Sequence, residues 1–372
     1  MKSKMDFLRN LKIIPFPFAL SAARSAVYRR VKTNFVHGFD TFASQTLTTN
    51  GLSKIVIFGL GRSLIYKIII FITFTVSLNP VRAFAIEWDK QKALDFIEKS
   101  WHQQHFQSLV SSSKTMKSCE FAPSEVFSTI LIFDLLKQYD WCLKSEVINY
   151  VKTNIKDCTL HFFENPNILP ADVDTTSLGL MALNGLIENN YLKQIVKRIS
   201  ENTNNGVIKV YFDNTSYRQE IVDPVVCANA LYSIYSIDSL IDASVTENYL
   251  YNTLYNEEYQ NGTRYYPSSF TFLWAVSKLL KLENMKSKFL DLLKEKILKI
   301  DPNLIEDSLD LAFYIIITTN INLPNIHEKK RLAEIQLADG SWPPYAFFKY
   351  GSQNKYFGSS QISTAFAICA LQ

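Results

Sequence analysis

The stretch 169-LPADVDTTSLGLMALNGL-186 shows the pattern that decides the fold. A short polar segment with two aspartates, Asp172 and Asp174, leads into a run that is apolar on nearly every side of a helix. Asp, Ser and Thr commonly begin helices, because their side chains accept hydrogen bonds from the first backbone N–H groups. A helix that is apolar all round must be buried, so other helices have to cover this one.

Six segments share this design, with starts spaced about 40 to 55 residues apart. More polar helices lie between most of them, for example at 191-YLKQIVKRISEN-202 and 285-MKSKFLDLLKEKILKI-300. The six apolar segments are 123-PSEVFSTILIFDLL-136, 174-DTTSLGLMALNGL-186, 223-DPVVCANALYSIY-235, 267-PSSFTFLWAVSKLL-280, 307-DSLDLAFYIIIT-318 and 360-SQISTAFAICAL-371.

Alternation of apolar and amphipathic helices at a regular repeat is typical of stacked helical hairpins. The sequence therefore predicts an all-α fold, a closed (α/α)6 toroid over residues 86–372 with six parallel inner helices. The segment 88-WDKQKALDFIEKSW-101 is predicted as the outer partner of the first inner helix. An open solenoid is the competing arrangement, but the chain lacks the polar capping repeats that open arrays need.

Parallel inner helices would bring all their N-termini to one mouth of the ring. The segments that lead into those helices carry acids, arginines and tyrosines around an aromatic interior. An apolar pocket with a few convergent polar groups is the usual form of a binding site. The predicted cavity residues are Asp172, Asp174, Asp223, Asp307, Arg218, Arg264, Tyr265, Tyr266 and Tyr356.

Residues 1–85 have the character of a leader. They carry six Lys and six Arg against two Asp, a net charge of +10; the total is +4, so residues 86–372 carry −6. The basic charge belongs to the leader, and the folded part shows no pattern for nucleic-acid binding. The apolar run 68–78 follows basic residues and precedes Ala83 and Ala85, at the small-residue positions of a cleavage site.

This pattern predicts export with cleavage after Ala85, and an uncleaved membrane anchor remains the alternative. The basic, Ser/Thr-rich stretch ahead of the apolar run is compatible with an organelle-directed leader of two stages, or with a start codon placed too far upstream. The five cysteines form no C-x-x-C pair, which favours free thiols. One bridge among Cys119, Cys142 and Cys158 stays open in an exported chain.

Two motifs resemble the class II terpene cyclases and the squalene/hopene cyclase group, whose toroid is shared with protein prenyltransferases. The segment 336-QLADGSW-342 fits the Q-x-x-x-G-x-W repeat through Gln336, Gly340 and Trp342, with degenerate copies at 258–266 and 202–208. The segment 172-DVDTT-176 is similar to the catalytic D-x-D-D motif and closer to its D-x-D-T-T variant. The resemblance covers residues 87–372 as one β-type domain.

The resemblance implies cyclisation of a polyprenoid started by protonation, an isomerase-type reaction. Asp174 would be the proton donor, Asp172 its partner, and Thr175 would stand in the place of the fourth-position Asp. A buried carboxyl can stay neutral until it protonates a C=C bond, and aromatic walls stabilise the carbocation. No redox cofactor or metal is implied, and Mg²⁺ only for a diphosphate substrate. The partner would be an apolar isoprenoid or lipid, with membrane association open.

Plainer explanations exist for each candidate residue. Asp172 and Asp174 are compatible with helix capping, Asp223 with an N-cap before Pro224, and Asp307 with another cap. Tyr265 and Tyr266 fit a cavity wall or a packing hinge; Arg218 and Arg264 fit an anionic head group or a solvated rim.

Two other functions remain as alternatives. One is a non-catalytic toroid that binds a lipid or a protein partner. The other is a glycosidase that uses the carboxylates of Asp174 and Asp307 across a cleft.

Overall fold

The computed structural model describes residues 86–102, 105–213 and 217–372, together with two short strands, β1 (Val56–Ile57) and β2 (Ile70–Phe71), which pair antiparallel. The chain divides into two compact units, Met1–Arg82 and Ala83–Gln372. Apart from Ile70 and Phe71, the apolar run 68–78 and the cleavage site after Ala85 lie outside the described residues. Among the residues described, no helix is both long and apolar enough to cross a bilayer.

Twelve α-helices occupy the described part of the second unit. They alternate between an outer and an inner position along the chain. In chain order they are α1 (Lys90–Lys99), α2 (Phe127–Leu136), α3 (Lys144–Asn154), α4 (Val173–Leu183), α5 (Asn189–Glu201), α6 (Pro224–Ile237), α7 (Ser244–Tyr255), α8 (Ser269–Leu279), α9 (Glu283–Leu298), α10 (Ser308–Asn320), α11 (Ile326–Glu334) and α12 (Ser360–Leu371).

The six even-numbered helices form a closed inner ring. Each packs against the next, and α12 packs against α2. Every residue of α4 is buried, whereas the outer helix α5 buries only Leu192, Ile195, Val196 and Ile199, at the spacing of one helix face. The predicted all-α toroid is therefore confirmed, and the open solenoid is excluded.

Helix α1 closes the seam of the outer ring. The sequence predicts it as the partner of α2, but α1 packs mainly against α12, the last inner helix. The Gln336 side chain explains this position, because its Oε1 accepts from the backbone N–H of Asp89 at 2.7 Å and its Nε2 donates to the Asp89 carbonyl at 2.9 Å. Asp89 is the N-cap of α1, so one amide fastens the beginning of the ring to its last repeat.

Trp342 and Gly340 complete this junction. The Trp342 ring is fully buried, and its Nε1–H donates to the Leu332 carbonyl at 2.8 Å. It packs against the Trp88 ring in an edge-to-face arrangement. Gly340 has a φ of +93°, and a Cβ there would lie 2.4 Å from the Lys92 backbone. Only glycine permits both the left-handed turn and this close approach of α1.

Short strands lie at the mouth of the ring, where the sequence pattern predicts only helices. Strands β11, β12, β5 and β6 form an antiparallel sheet in that order; the other strands form two-stranded pairs. The strands are β3 (Trp101–His102), β4 (His105–Phe106), β5 (Leu109–Ser111), β6 (Cys119–Phe121), β7 (Leu160–His161), β8 (Ala171–Asp172), β9 (Thr203–Asn204), β10 (Val207–Ile208), β11 (Ala346–Lys349) and β12 (Tyr356–Gly358), with 3-10 turns at Tyr217–Glu220 and Pro302–Leu304.

All five cysteines are free, three of them partly buried, one buried and one exposed. The bridge left open among Cys119, Cys142 and Cys158 is not formed.

The Gln336 junction predicts a stability effect. Gln336→Ala removes the two hydrogen bonds to Asp89 and one to the Gly340 carbonyl. We expect the free energy of unfolding to fall by about 1–3 kcal/mol, because these backbone groups lose their partner. Urea denaturation followed by circular dichroism measures this change. Gln91→Ala is the matched control, since the exposed side chain of Gln91 bonds only to Asp95 within α1. Equal losses in both variants would contradict the assignment.

Candidate active site

A cavity of about 130 Å³ lies at the N-terminal end of α4. Its wall combines aromatic and aliphatic side chains with two carboxyls and three cationic groups. The described residues that line it are Phe127, Phe162, Leu169, Asp172, Asp174, Val210, Tyr211, Arg218, Ile221, Val226, Arg264, Tyr265, Tyr266, Phe348, Lys349, Tyr350, Gly351, Ser352, Gln353 and Phe357.

Asp174 stands in the first turn of α4 and is only 6% exposed. Its Oδ1 accepts from Asn229 Nδ2 at 2.7 Å, and its Oδ2 accepts from the Tyr266 hydroxyl. Burial raises the pKa of Asp174 to about 6, although both hydrogen bonds favour the carboxylate and oppose that rise. The group is therefore an acid that is close to neutral at mildly acidic pH and has a stabilised conjugate base.

Asp172 caps α4 and also lines the cavity. Its Oδ1 accepts from the Thr175 backbone N–H at 2.7 Å, and its Oδ2 accepts from the Thr175 hydroxyl at 2.9 Å. Burial raises the pKa of Asp172 to about 7, and the nearby Asp174 carboxylate adds to that rise. Capping and site membership are thus not alternatives here. The two acids form a buried pair in which one negative charge disfavours the second.

Asp223 supports the site from behind and does not line the cavity. It is fully buried, caps α6 ahead of Pro224, and its Oδ2 accepts from the Tyr265 backbone N–H at 3.1 Å. This bond holds the segment that carries Tyr265 and Tyr266 against the mouth. Both tyrosines line the cavity, and Tyr266 reaches Asp174.

Asn229 and Lys278 are functional candidates that the sequence analysis missed. Asn229 lies on α6 and donates to Asp174, while Lys278 lies on α8 and donates to Asn229 Oδ1 at 2.7 Å. Asn229 is the one amide side chain of α6, and Lys278 is the one charged side chain of α8. A buried charge in such a helix is costly unless it is paired, so Lys278 was the detectable signal.

The aromatic wall comes mainly from the sheet. Phe348 of β11 stacks on Phe357 of β12 with ring centroids 5.1 Å apart. It also packs edge-to-face with Phe162, at a centroid distance of 4.9 Å. Both strands also carry the turn 350–353, whose residues line the outer part of the cavity. These rings present π faces and edges to the space beside the two acids.

Cationic side chains lie on the more exposed side of the cavity. Arg264 is exposed and sits 5.8 Å from the Tyr265 ring centroid, and Arg218 sits 5.9 Å from that of Tyr211. Lys349 joins them in the wall, half-buried. The cavity therefore runs from a basic rim to an acidic, buried floor.

Besides Asp223, two other predicted cavity residues lie outside the cavity wall. Asp307 caps α10 through the Asp310 backbone N–H at 2.7 Å and is not part of the cavity wall, because its carboxyl turns back onto its own helix. Tyr356 is in β12, where it pairs with Ser111 and Lys349, and it does not line the cavity either. Asp174 and Asp307 therefore do not face each other across one cleft, as a glycosidase pair would.

A buried carboxyl pair at the mouth of an α/α toroid matches the arrangement that the sequence motifs imply. Comparison with known proteins bears on the fold and the sequence as a whole. Residues 92–237 match the family model described as the sesquiterpene cyclase astC-like C-terminal domain. In this sequence match and in its fold, the chain is similar to the class II terpene cyclases.

Individual proteins that are similar to this chain are terpene cyclases as well. A stretch of 207 residues, 54% of the chain, is 30% identical to the drimenol cyclase drtB of Aspergillus calidoustus; it spans 38% of that protein, well under half of its length. In fold, a variant of the type II terpene cyclase MstE from Scytonema in complex with merosterolic acid A superposes with a TM-score of 0.56, covering 76% of this chain and 94% of that one at 12% identity.

A second MstE structure, a complex with geranylgeranyl dihydroxybenzoate, gives a TM-score of 0.53 at 11% identity, covering 76% of this chain and 95% of that chain. At such low identity these structures show the fold alone. The predicted toroid therefore rests on both the helix packing and this likeness.

The raised pKa of Asp174 predicts a pH-dependent stability. The folded-state pKa is about 6 against an ordinary 3.8. The contribution of Asp174 to the free energy of unfolding is therefore fully present below about pH 3.8 and is lost as the pH rises through 6. The change amounts to about 3 kcal/mol. Asp174→Asn removes this contribution. Between pH 4 and 7, we expect its unfolding free energy in urea to decline less steeply than that of the wild type.

Asp242→Asn is the control for this measurement. Asp242 is exposed, its carboxylate accepts from the Ser244 backbone N–H at 2.9 Å, and that bond lowers its pKa. The variant keeps the wild-type decline above pH 4. Parallel curves for the wild type and Asp174→Asn would show that Asp174 is not an acid of raised pKa.

Proposed function

We propose that the toroid is a protonation-initiated cyclase of a polyprenoid, with Asp174 as the acid. The observation that carries this proposal is the position of Asp174, a buried carboxyl of raised pKa on the wall of an aromatic cavity. Protonation of an isolated C=C bond requires an un-ionised acid and a site from which water is excluded.

The proposed chemistry needs only groups in the cavity wall and the amide of Asn229 behind it. The O–H bond of neutral Asp174 breaks as its proton adds to a terminal alkene carbon, which leaves a carbocation on the neighbouring carbon. A second alkene of the same substrate then supplies the electron pair for ring closure, which moves the positive charge to one of its own carbons. The last carbocation loses a proton from an adjacent carbon to the Asp174 carboxylate, so a C=C bond forms and Asp174 is neutral again. Asn229 and Tyr266 stabilise the carboxylate that remains, and the rings of Phe348 and Phe357 face the positive charge.

Asp172 assists as the partner of Asp174. Its own burial keeps it from carrying a full negative charge beside the acid, and Thr175 fixes both of its oxygens. Thr175 thus holds Asp172 in place and does not act on the substrate. The step is neither an oxidation nor a reduction, so its electron balance requires no redox cofactor.

The basic rim suggests how the substrate is oriented. Arg218, Arg264 and Lys349 would hold an anionic head group while the apolar tail reaches the acids. The named relatives support an isoprenoid substrate, since one is a drimenol cyclase and another is in complex with geranylgeranyl dihydroxybenzoate. A diphosphate head group would bring Mg²⁺ with it. A neutral polyene carried by lipid is the other substrate class.

For residues 1–85 we keep the proposal of a targeting leader, exported or membrane-anchored. It is supported by the net charge of +10, the apolar run 68–78 and the small residues Ala83 and Ala85.

The decisive experiment incubates the 372-residue chain with farnesyl diphosphate and Mg²⁺, geranylgeranyl diphosphate and Mg²⁺, or squalene, followed by gas chromatography–mass spectrometry. Diphosphate products are first treated with phosphatase. We expect a cyclised product from the wild type, and a loss of about 10²- to 10⁴-fold for Asp174→Asn, because the proton donor is gone.

Asp242→Asn is the control, since Asp242 lies at the start of the outer helix α7, away from the cavity. It should turn over at the wild-type rate. If no polyprenoid is cyclised and the same lipid co-purifies with the wild type and Asp174→Asn, the toroid is a binding module instead.

The rim predicts a separate effect on binding. Arg264→Gln should raise KM for a polyprenyl diphosphate about tenfold with little change in kcat, since it removes one charge-assisted contact to a group remote from the chemistry. Steady-state kinetics measure this change. Lys286→Gln on the exposed side of α9 is the control. An equal effect of Arg264→Gln on squalene turnover would contradict a head-group role.

A further inference from the structure

A chain of hydrogen bonds connects three inner helices behind Asp174. Lys278 Nζ on α8 donates to Asn229 Oδ1 on α6 at 2.7 Å, and Asn229 Nδ2 donates to Asp174 Oδ1 on α4 at 2.7 Å. Lys278 is 8% exposed and Asn229 is 2% exposed. Lys278 also lies 4.1 Å from the Trp274 ring centroid, so its charge is held among apolar and aromatic groups.

The hydrogen bonds of this chain can run in only one direction, from Lys278 to Asp174. An ammonium has donors and no acceptor, so the carbonyl side of the Asn229 amide must face Lys278. The NH₂ side must then face Asp174, and Asp174 Oδ1 must accept. Any proton that Asp174 carries therefore belongs on Oδ2.

Oδ2 is the oxygen on the cavity side. Its partner Tyr266 lines the cavity, whereas Asn229 and Lys278 are absent from the described wall. An amide oriented the other way would accept from Asp174 and draw the proton away from the substrate. Lys278 excludes that orientation.

We propose that Lys278, acting through Asn229, is a positioning residue that places the Asp174 proton on Oδ2 and strengthens Asp174 as an acid. The ammonium polarises the Asn229 amide, and the polarised amide stabilises the carboxylate left after proton transfer. The effect of Lys278 on turnover rests on the proposed cyclase function. The effect of Lys278 on the acid strength of Asp174 concerns the carboxyl alone and holds without turnover.

The other charged and titratable groups around this hydrogen-bond chain differ from Lys278 in the sign of their charge or in their position. Asp174 faces Asp172 on its own element, Asp223 and Cys227 at the start of α6, and Tyr266 ahead of α8. These four are acids, so none supplies positive charge.

Lys278 itself faces Asp134 at the end of α2, with Lys137 and Lys281 nearby. Burial lowers the pKa of Lys278 to about 8. It therefore keeps its charge across the range near pH 6 in which Asp174 titrates.

The test is the pH profile of Lys278→Met, a change of similar length that leaves no buried charge on α8. A general acid works while protonated, so the wild-type rate falls as pH rises through the pKa of Asp174. Without the cation we expect that falling limb to move up by about one pH unit. We expect kcat on the acid plateau to drop by about 3- to 10-fold, with KM unchanged, since the acid is weaker.

Lys296→Met is the matched control. Lys296 is also buried, at 7% exposed, but it lies on the outer helix α9 and binds Glu257 and the Tyr255 carbonyl. Loss of packing or stability would affect both variants. Only Lys278→Met should move the falling limb of the pH–rate profile.

A second variant tests the route through the amide. Asn229→Leu breaks the hydrogen-bond chain between Lys278 and Asp174. In the wild-type background, Lys278→Met should shift the falling limb of the pH–rate profile by about one pH unit. In the Asn229→Leu background, the same change should shift it by less than about a third of a pH unit. A full shift in both backgrounds would show that Lys278 acts directly and would overturn the relay.

Infrared titration of the 372-residue chain labelled with [¹³C]carboxyl-Asp reads the relay without substrate. The Asp174 band, identified by its loss in Asp174→Asn, should titrate about one pH unit higher in Lys278→Met. If that shift occurs and no polyprenoid is cyclised, the relay stands and the cyclase proposal fails. If turnover occurs and neither the band nor the limb moves, the relay is wrong and the cyclase proposal stands.

Discussion

The inner helices begin inside the protein, and this constraint shapes the site. A buried helix N-terminus has backbone N–H groups that must find acceptors, because water cannot supply them. Side chains supply them at the starts of α4, α6, α8, α10 and α12, from Asp172, Asp223, Ser268, Asp307 and Ser359. Parallel packing gathers these caps at one mouth, so the fold itself concentrates buried acids there.

Asp174 differs from the caps in having no helix terminus to satisfy. Its two oxygens are satisfied by Asn229 and Tyr266 instead, from neighbouring parts of the ring. Burial pushes its pKa up and these donors pull it down, and burial prevails to leave it near 6. An acid in this balance is mostly neutral below about pH 6, and the carboxylate that it leaves on losing its proton is stabilised by hydrogen bonds.

The ring was predictable because its signals are local. Apolar runs with capping residues mark each inner helix, and the tight turn at Gly340 and the ring of Trp342 mark the junction. The DVDTT motif likewise located the two acids. The sheet was not predictable, because β5 pairs with β12, about 250 residues away, and no local periodicity reports such pairing. Asn229 and Lys278 were missed since each lies within a run whose apolar neighbours dominate the pattern.

The Gln336 junction also orders events during synthesis. Its partner is Asp89, 247 residues earlier, and α12, against which α1 packs, is the last helix of the sequence. While the chain is being made, α1 has emerged from the ribosome long before its partner exists, and the apolar face that carries Ala93 and Ile97 has no ring to cover it. Contacts between such distant segments form slowly, and uncovered apolar faces attract other chains. In a closed ring of this kind, the apolar face of α1 gains its inner-helix partner only after α12 has been made.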